Sequence, residues 1–161
     1  MSSSNLEALK AHILPLSRSR NFDIARGEWS LYHVEISEEM DHCPCGQEIK
    51  EHCYIENKVT GHRTHVGNVC INRFMGIDTS TLFDGLKRIA KDHSANPNEA
   101  LVDFAWKKGY LYDEREYEFI QQMCRKRKRS EAQNSWVAKI NRRIVNKIVV
   151  KKRSTIEELT E

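Results

Sequence analysis

The sequence lacks any long apolar run. No segment approaches the roughly 18 consecutive apolar residues that a membrane helix needs, and the N-terminus has no apolar signal core. We therefore expect a protein of the cytoplasm, the nucleoid or the nucleus, with no membrane partner. Only 8% of the 161 residues are aromatic and 39% are hydrophobic. This composition allows one modest core with a large solvated surface.

Motifs of catalysis are missing as well. The sequence has no H-E-x-x-H, no deaminase H-x-E with P-C-x-x-C, and no glycine-rich phosphate loop. The carboxylates nearest to the cysteines, Glu48, Glu51 and Glu56, are typical of the solvated surface of a small hairpin. Cys124 lies in a basic stretch without an evident partner base, which favours a structural role. We therefore expect no enzymatic activity and no small-molecule substrate.

Cysteine, by contrast, is concentrated. Four of the five cysteines fall within 28 residues, at Cys43, Cys45, Cys53 and Cys70. In a reducing compartment, clustered thiols usually hold a metal rather than form disulfides. Four thiolates close a tetrahedron around Zn²⁺, and no position is left open for catalysis. The spacing therefore predicts one structural zinc ion bound by these four residues.

The spacing leaves alternative ligand sets open. Only one residue separates the first two cysteines, whereas His42 and Cys45 have the two-residue gap of the usual zinc knuckle. His52 and His65 are further candidates for the third and fourth places. Adjacent residues on a strand point to opposite faces, so His52 and Cys53 are not expected to ligate together. Buried thiols without a metal are the remaining alternative.

Periodicity places these cysteines among short strands. Polar and apolar residues alternate over 29–36, which predicts a strand that leads into the metal site. Residues 49–57 and 63–66 predict a hairpin whose turn needs the positive φ of Gly61. A knuckle, a hairpin and a ligand at the start of the following helix indicate a treble-clef or ribbon-like zinc module. Cys70 would lie at the positive end of that helix, which favours its thiolate.

The rest of the chain is predicted to be helical. Asn96, Asp113 and Ser130 are candidate N-caps, and Gly109 ends one helix. The predicted fold class is therefore α+β and mainly helical. We expect N-terminal helices over 1–28, the zinc-binding module over 29–76, a helical region with a basic arm over 77–150, and a flexible tail over 151–161.

The cysteines, glycines and asparagines of residues 20–75 form a larger pattern. Its main positions are Cys43-x-Cys45-Gly46, Asn57, Gly61 and Val66-Gly67-Asn68-x-Cys70-x-x-x-Phe74. The pattern resembles a motif of small, largely uncharacterised zinc-binding proteins of bacteria, phages and large DNA viruses. The resemblance implies a short metal-binding fold followed by helices. Some members have a histidine at the position of Cys53, which implies that position 53 is the third ligand.

Positive charge accumulates towards the C-terminus. Residues 121–153, the basic arm, hold twelve Lys or Arg and one acid. Such a segment is suited to a polyanion, and contacts with phosphates give strong, salt-sensitive, sequence-tolerant binding. We therefore expect binding of nucleic acid, DNA more than RNA. The predicted contacts are Arg125, Lys126, Arg127, Lys128, Arg129, Lys139, Arg142, Arg143 and Lys147.

Two other functions fit the same sequence. The chain is also consistent with an adaptor or inhibitor that docks on a larger protein complex, for example a phage accessory or anti-defence factor. A basic arm addresses an acidic protein surface as well as it addresses DNA. The second alternative is a treble-clef nuclease, which needs a separate metal pair. His62 and His65 with Asn68 or Asn72 are the only candidates for that pair.

Overall fold

The computed structural model describes residues 3–152. Over these residues the chain forms seven α-helices and one three-stranded antiparallel sheet, which confirms the predicted α+β class. The chain divides into two compact units, the first ending at Thr79 and the second beginning at Ser80. None of the helices within 3–152 combines the length and the apolar character needed to cross a bilayer. Most of the predicted tail, 153–161, lies outside the described residues.

The first unit holds the sheet and three helices. Its elements in chain order are α1 (Ser3–Ile13), a 3-10 turn (Leu14–Leu16), α2 (Phe22–Ala25), a second 3-10 turn (Arg26–Glu28), β1 (Trp29–His42), β2 (Glu48–Asn57), β3 (Arg63–Val66) and α3 (Asn68–Met75). α2 begins at Phe22 because Asn21 caps it. The Asn21 side chain accepts hydrogen bonds from the backbone N–H groups of Asp23 and Ile24.

The sheet has the order β1-β2-β3, so the predicted hairpin forms two of its three strands. β1 runs on to His42, beyond the predicted end at Ile36, because a register shift between Ile36 and Asp41 lets it keep pairing with β2. Cys53 lies at the centre of β2, opposite Val34 on β1 and Val66 on β3. The long first strand therefore delivers the chain directly to the first two cysteines.

The two faces of the sheet differ in character. Cys53 and Ile55 are both buried, and they lie on one face because side chains alternate along a strand. His52 and Tyr54 consequently lie on the other face, and His65 lies opposite Tyr54 on β3. One face therefore contributes to the apolar core, whereas the other carries histidine and tyrosine rings.

The second unit consists of four helices: α4 (Ser80–Lys91), α5 (Glu99–Lys108), α6 (Glu114–Met123) and α7 (Glu131–Val145). Ser130 and Gln133 form the predicted capping box at the start of α7. Asp113 caps α6 by accepting a hydrogen bond from Glu116 N–H. The predicted N-cap of α5, Asn96, was wrong by two residues. The N-cap is Asn98, whose side chain accepts a hydrogen bond from Leu101 N–H.

A buried ion pair lies inside the second unit. Arg143 Nη1 is 2.5 Å from Glu116 Oε1, and both side chains are less than one-tenth exposed. Arg143 also donates to the Tyr110 carbonyl, and Glu116 accepts from Trp136 Nε1 and Tyr112 N–H. The prediction that Arg143 contacts nucleic acid is corrected by this burial, because its guanidinium is fully engaged within the unit.

Gly109 ends α5 in the left-handed conformation, with φ +80°. Its carbonyl accepts from the N–H groups of Val150 and Lys151, and a Cβ at Gly109 would clash with the Lys151 carbonyl oxygen. We therefore expect Gly109→Ala to lower the free energy of unfolding by at least about 1–2 kcal/mol, the penalty of that conformation alone. Urea denaturation measures the change. Gly27→Ala is the control, because a Cβ added there would have no atom within 4 Å beyond its chain neighbours, and a change larger than that of Gly109→Ala would contradict the explanation.

Candidate metal centre

The first two cysteines lie on a tight turn between β1 and β2. Gly46 N–H donates to the Cys43 carbonyl at 2.8 Å, and Cys43 N–H donates to the Gln47 carbonyl at 2.9 Å. Gly46 has φ +101°, which glycine adopts without strain. The chain reverses within these few residues, so two thiols separated by a single residue face the same side. The short spacing is therefore compatible with a metal-binding knuckle.

The start of α3 brings a third cysteine to this turn. Cys70 is in the first turn of α3, which begins after Gly67. Gly67 N–H donates to Cys43 Sγ at 3.4 Å. A Cβ at Gly67 would lie only 2.9 Å from Ile49 Cγ2. Glycine, which has no Cβ, therefore lets the start of α3 lie close to β2. Backbone contact between the helix start and the knuckle thus positions Cys70 beside the other two thiols.

Cys43, Cys45 and Cys70 form the cysteine group. Their sulfur atoms all lie within 4.8 Å of one another, and each residue is at most 2% exposed. The Cys70 thiol donates a hydrogen bond to Cys43, which lowers the pKa of Cys43 and raises the pKa of Cys70. Backbone N–H groups of Cys45 and Gly67 add to the lowering at Cys43. A buried thiolate with N–H donors and two further thiols in reach can hold a metal ion.

The sulfur atom of Cys53, the predicted fourth ligand, does not belong to the cysteine group. Its Sγ lies 3.7 Å from Thr79 Oγ1, and burial raises the pKa of its thiol to about 12. The charge of Cys43 contributes to that rise. Ligation by Cys53 stays a prediction. His42, the alternative partner for Cys45, is exposed, while Cys43 lies beside Cys45 instead.

A second cluster of candidate ligands lies on the ring-bearing face of the sheet. Asp41, His52 and His65, the histidine group, each come from a different strand, and their ligand atoms lie within 4.8 Å of one another. From the sequence, His52 and His65 were considered as replacements for cysteines, and His65 also as part of the metal pair of a nuclease. Asp41 was missed. Strand alternation was the indication of this site that the sequence contained, because it places His52 and Cys53 on opposite faces of the sheet.

Most predicted nucleic-acid contacts lie on the surface of the second unit. Arg125, Lys126, Arg127 and Lys128 are exposed between α6 and α7, and Arg125 pairs with exposed Glu99 at 2.7 Å. Arg129 is half-buried and donates to the Ser94 carbonyl. Exposed positions on and after α7 complete the set: Lys139, Arg142 and Lys147.

The likeness to small zinc-binding proteins depends on the motif of residues 20–75. Comparison of the chain with protein-family models, with curated proteins and with solved structures found no match. What the protein does is therefore inferred from its described side chains and their surroundings. Among the described residues, three features can carry chemistry: the cysteine group and the histidine group of the first unit, and the exposed cations of the second.

Proposed function

We propose that this chain is a non-catalytic nucleic-acid-binding protein whose first unit is stabilised by zinc. The observation that carries the proposal is the run Arg125–Lys128, in which four consecutive cations are exposed between two helices. Because no acid interrupts the run, a phosphate backbone can approach several cations together. Duplex DNA is the preferred polymer because its dense charge gives a larger counterion release per contact than a single strand.

Zinc is the ion that fits the cysteine group best. Three buried thiols form a soft donor set, and structural zinc sites are built from cysteine and histidine in a tetrahedral arrangement. We propose Cys53 as the fourth ligand, reached by a movement of β2 towards Cys43. The knuckle, the β2–β3 hairpin and Cys70 at the start of α3 are the parts of a treble clef, which is the finer fold that we propose for this module.

The charge distribution supports a polyanionic partner. Residues 80–152 hold 17 Lys or Arg and 9 Asp or Glu, whereas residues 1–79 hold 8 Lys or Arg and 11 Asp or Glu. On α7, Lys139 and Arg142 are exposed one turn apart, while Val137, Ile140 and Ile144 are buried on the opposite side. The helix thus presents a basic face to solvent and an apolar face to the core.

A salt series of duplex DNA binding tests this proposal. We expect the wild-type affinity to fall steeply with salt because each phosphate contact releases a counterion. Changing Lys126, Arg127 and Lys128 together to glutamine removes up to three contacts. The slope of log K against log salt should then decrease by up to about 2.7, since each contact contributes about 0.9. Fluorescence anisotropy with the same duplex measures both slopes.

The matched control changes three exposed cations of the first unit, Arg20, Lys50 and Arg73, to glutamine. It removes the same charge, so an equal loss of slope would show that net charge alone drives binding and would overturn the assignment to the basic arm. Absence of binding at low salt to DNA and to RNA, with metal present at one ion per chain, would overturn the nucleic-acid function. The basic arm would then be a surface for an acidic protein.

A further inference from the structure

We infer that the histidine group, Asp41, His52 and His65, is a second metal site that takes a divalent transition-metal ion such as Zn²⁺. One ligand comes from each strand of the sheet, and none belongs to the cysteine group. Two imidazoles and one carboxylate are the ligand types that such ions share in N/O sites. Three protein ligands leave at least one coordination position for water. The inference does not depend on nucleic-acid binding.

The environment of His52 carries the inference. Its side chain is only 5% exposed, and both ring nitrogens face oxygen atoms that cannot donate a hydrogen bond. Nδ1 is 3.1 Å from the Lys50 carbonyl, and Nε2 is 3.0 Å from the Asp41 carboxylate. A neutral imidazole has one N–H and satisfies only one of these oxygens. A metal ion bound by Nε2 and by the Asp41 carboxylate would satisfy both sides of the ring.

The backbone orients both histidines in a manner suited to a metal. When Nδ1–H of His52 donates to the Lys50 carbonyl, Nε2 presents its lone pair to the site. His65 Nε2 lies 3.1 Å from the His42 carbonyl, so donation there leaves Nδ1 with the lone pair. Metal-bound histidines commonly donate their other nitrogen to a carbonyl in this way, which fixes the tautomer and the ring orientation.

The distances are close to those of a metal site. Ligand atoms about 2.0–2.2 Å from an ion lie roughly 3.0–3.5 Å from each other, and the Asp41–His52 separation of 3.0 Å is in that range. The ring centroids of His52 and His65 are 4.9 Å apart. A rotation of the more exposed His65 ring would bring its ligand nitrogen to the same ion. Asp41 is already held in place, because its other oxygen accepts from His42 N–H at 2.7 Å.

Cobalt titration of the metal-free protein separates the two sites. We expect two equivalents to bind: the cysteine group should give intense thiolate-to-cobalt charge-transfer absorption, and the histidine group should give only weak ligand-field bands. Asp41→Asn and His65→Gln should each lower the affinity for the ion without thiolate absorption by about 100-fold or more. Even the loss of a residue that only supports a metal ligand typically costs about 10–100-fold in affinity. Both variants should keep the thiolate-bound equivalent, which also shows that they fold.

His62→Gln is the matched control, because His62 is an exposed histidine of the same hairpin that lies outside the group. It should retain both equivalents. A single equivalent in the wild-type protein would overturn the inference and leave the contact between His52 and Asp41 as a hydrogen bond. A second equivalent with thiolate absorption would also overturn the inference. An unchanged metal affinity in Asp41→Asn, or an equal loss of metal affinity in His62→Gln, would overturn it as well.

Discussion

A Cys43→Ser chain is expected to bind less than stoichiometric metal at the cysteine group and to lose the folded structure of residues 3–79. The serine hydroxyl is a poor replacement for a thiolate that two backbone N–H groups and the Cys70 thiol support. Structural zinc supplies an apparent binding free energy of about 10–16 kcal/mol in small domains. Because whole domains are stable by only about 5–15 kcal/mol, the first unit should not stay folded without its ion. Metal analysis and amide hydrogen exchange measure both effects.

Two further cysteine variants sharpen this test. Cys53→Ser should release the ion of the cysteine group if Cys53 is the fourth ligand, whereas one tightly bound ion that still shows thiolate coordination, with cobalt as the probe, would exclude it. Cys124→Ser is the control, because this cysteine lies in the second unit and its thiol donates only to the Ile120 carbonyl at 3.4 Å. It should keep the metal and change the free energy of unfolding by no more than about 1 kcal/mol, because the serine hydroxyl can donate to the same carbonyl. Full zinc occupancy and wild-type exchange protection in Cys43→Ser would refute the proposed centre.

Arg143→Ala is expected to destabilise the protein by about 3–5 kcal/mol, the typical cost of removing one partner from a buried ion pair. The substitution leaves the carboxylate of Glu116 buried without its counter-charge. It also removes the donor to the Tyr110 carbonyl and the guanidinium that lies 4.7 Å from the centre of the Tyr112 ring. The midpoint of urea denaturation in the presence of saturating metal gives the change.

Arg142→Ala provides the comparison, since Arg142 is exposed on the preceding position of the same helix. It should change stability by no more than about 0.5 kcal/mol, as surface substitutions generally do. In the salt series, loss of Arg142 should reduce the slope by up to about 0.9, the contribution of one phosphate contact. Folded Arg143→Ala protein should keep the wild-type slope. The reverse pattern would show that Arg143 reaches the solvent and contacts the phosphate backbone.

Local sequence patterns predicted most of the elements correctly. The hairpin at 49–57 and 63–66, the capping box at Ser130 and the end of a helix at Gly109 all depend on residues close in the chain. The N-cap of α5 was placed two residues early, because Asn96-Pro97 and Asn98 offer competing caps. The extension of β1 to His42 was missed, because pairing past a bulge depends on the partner strand and not on alternation within β1.

The candidate sites show the same division between local and distant information. Cysteine spacing predicted four ligands, and three of them, Cys43, Cys45 and Cys70, are brought together. The fourth, Cys53, could not be decided from spacing, because its place depends on how the strands pair. Asp41 and His52 are eleven residues apart on neighbouring strands, and only the register between β1 and β2 brings them together. Likewise, Arg142 and Arg143 carry the same charge, and helix orientation alone distinguishes them.

By itself, the sequence determined most of the elements, the caps at Asp113 and Ser130, the cysteine-rich turn and the strong positive charge of the C-terminal part. These properties follow from backbone preferences and residue chemistry within a few positions. Only the tertiary structure decided that Arg143 is buried against Glu116, that Cys53 faces Thr79, and that three strands place Asp41 and two histidines together. The physical reason is that burial and electrostatic pairing depend on which distant segments pack against a residue, and packing is a property of the whole chain.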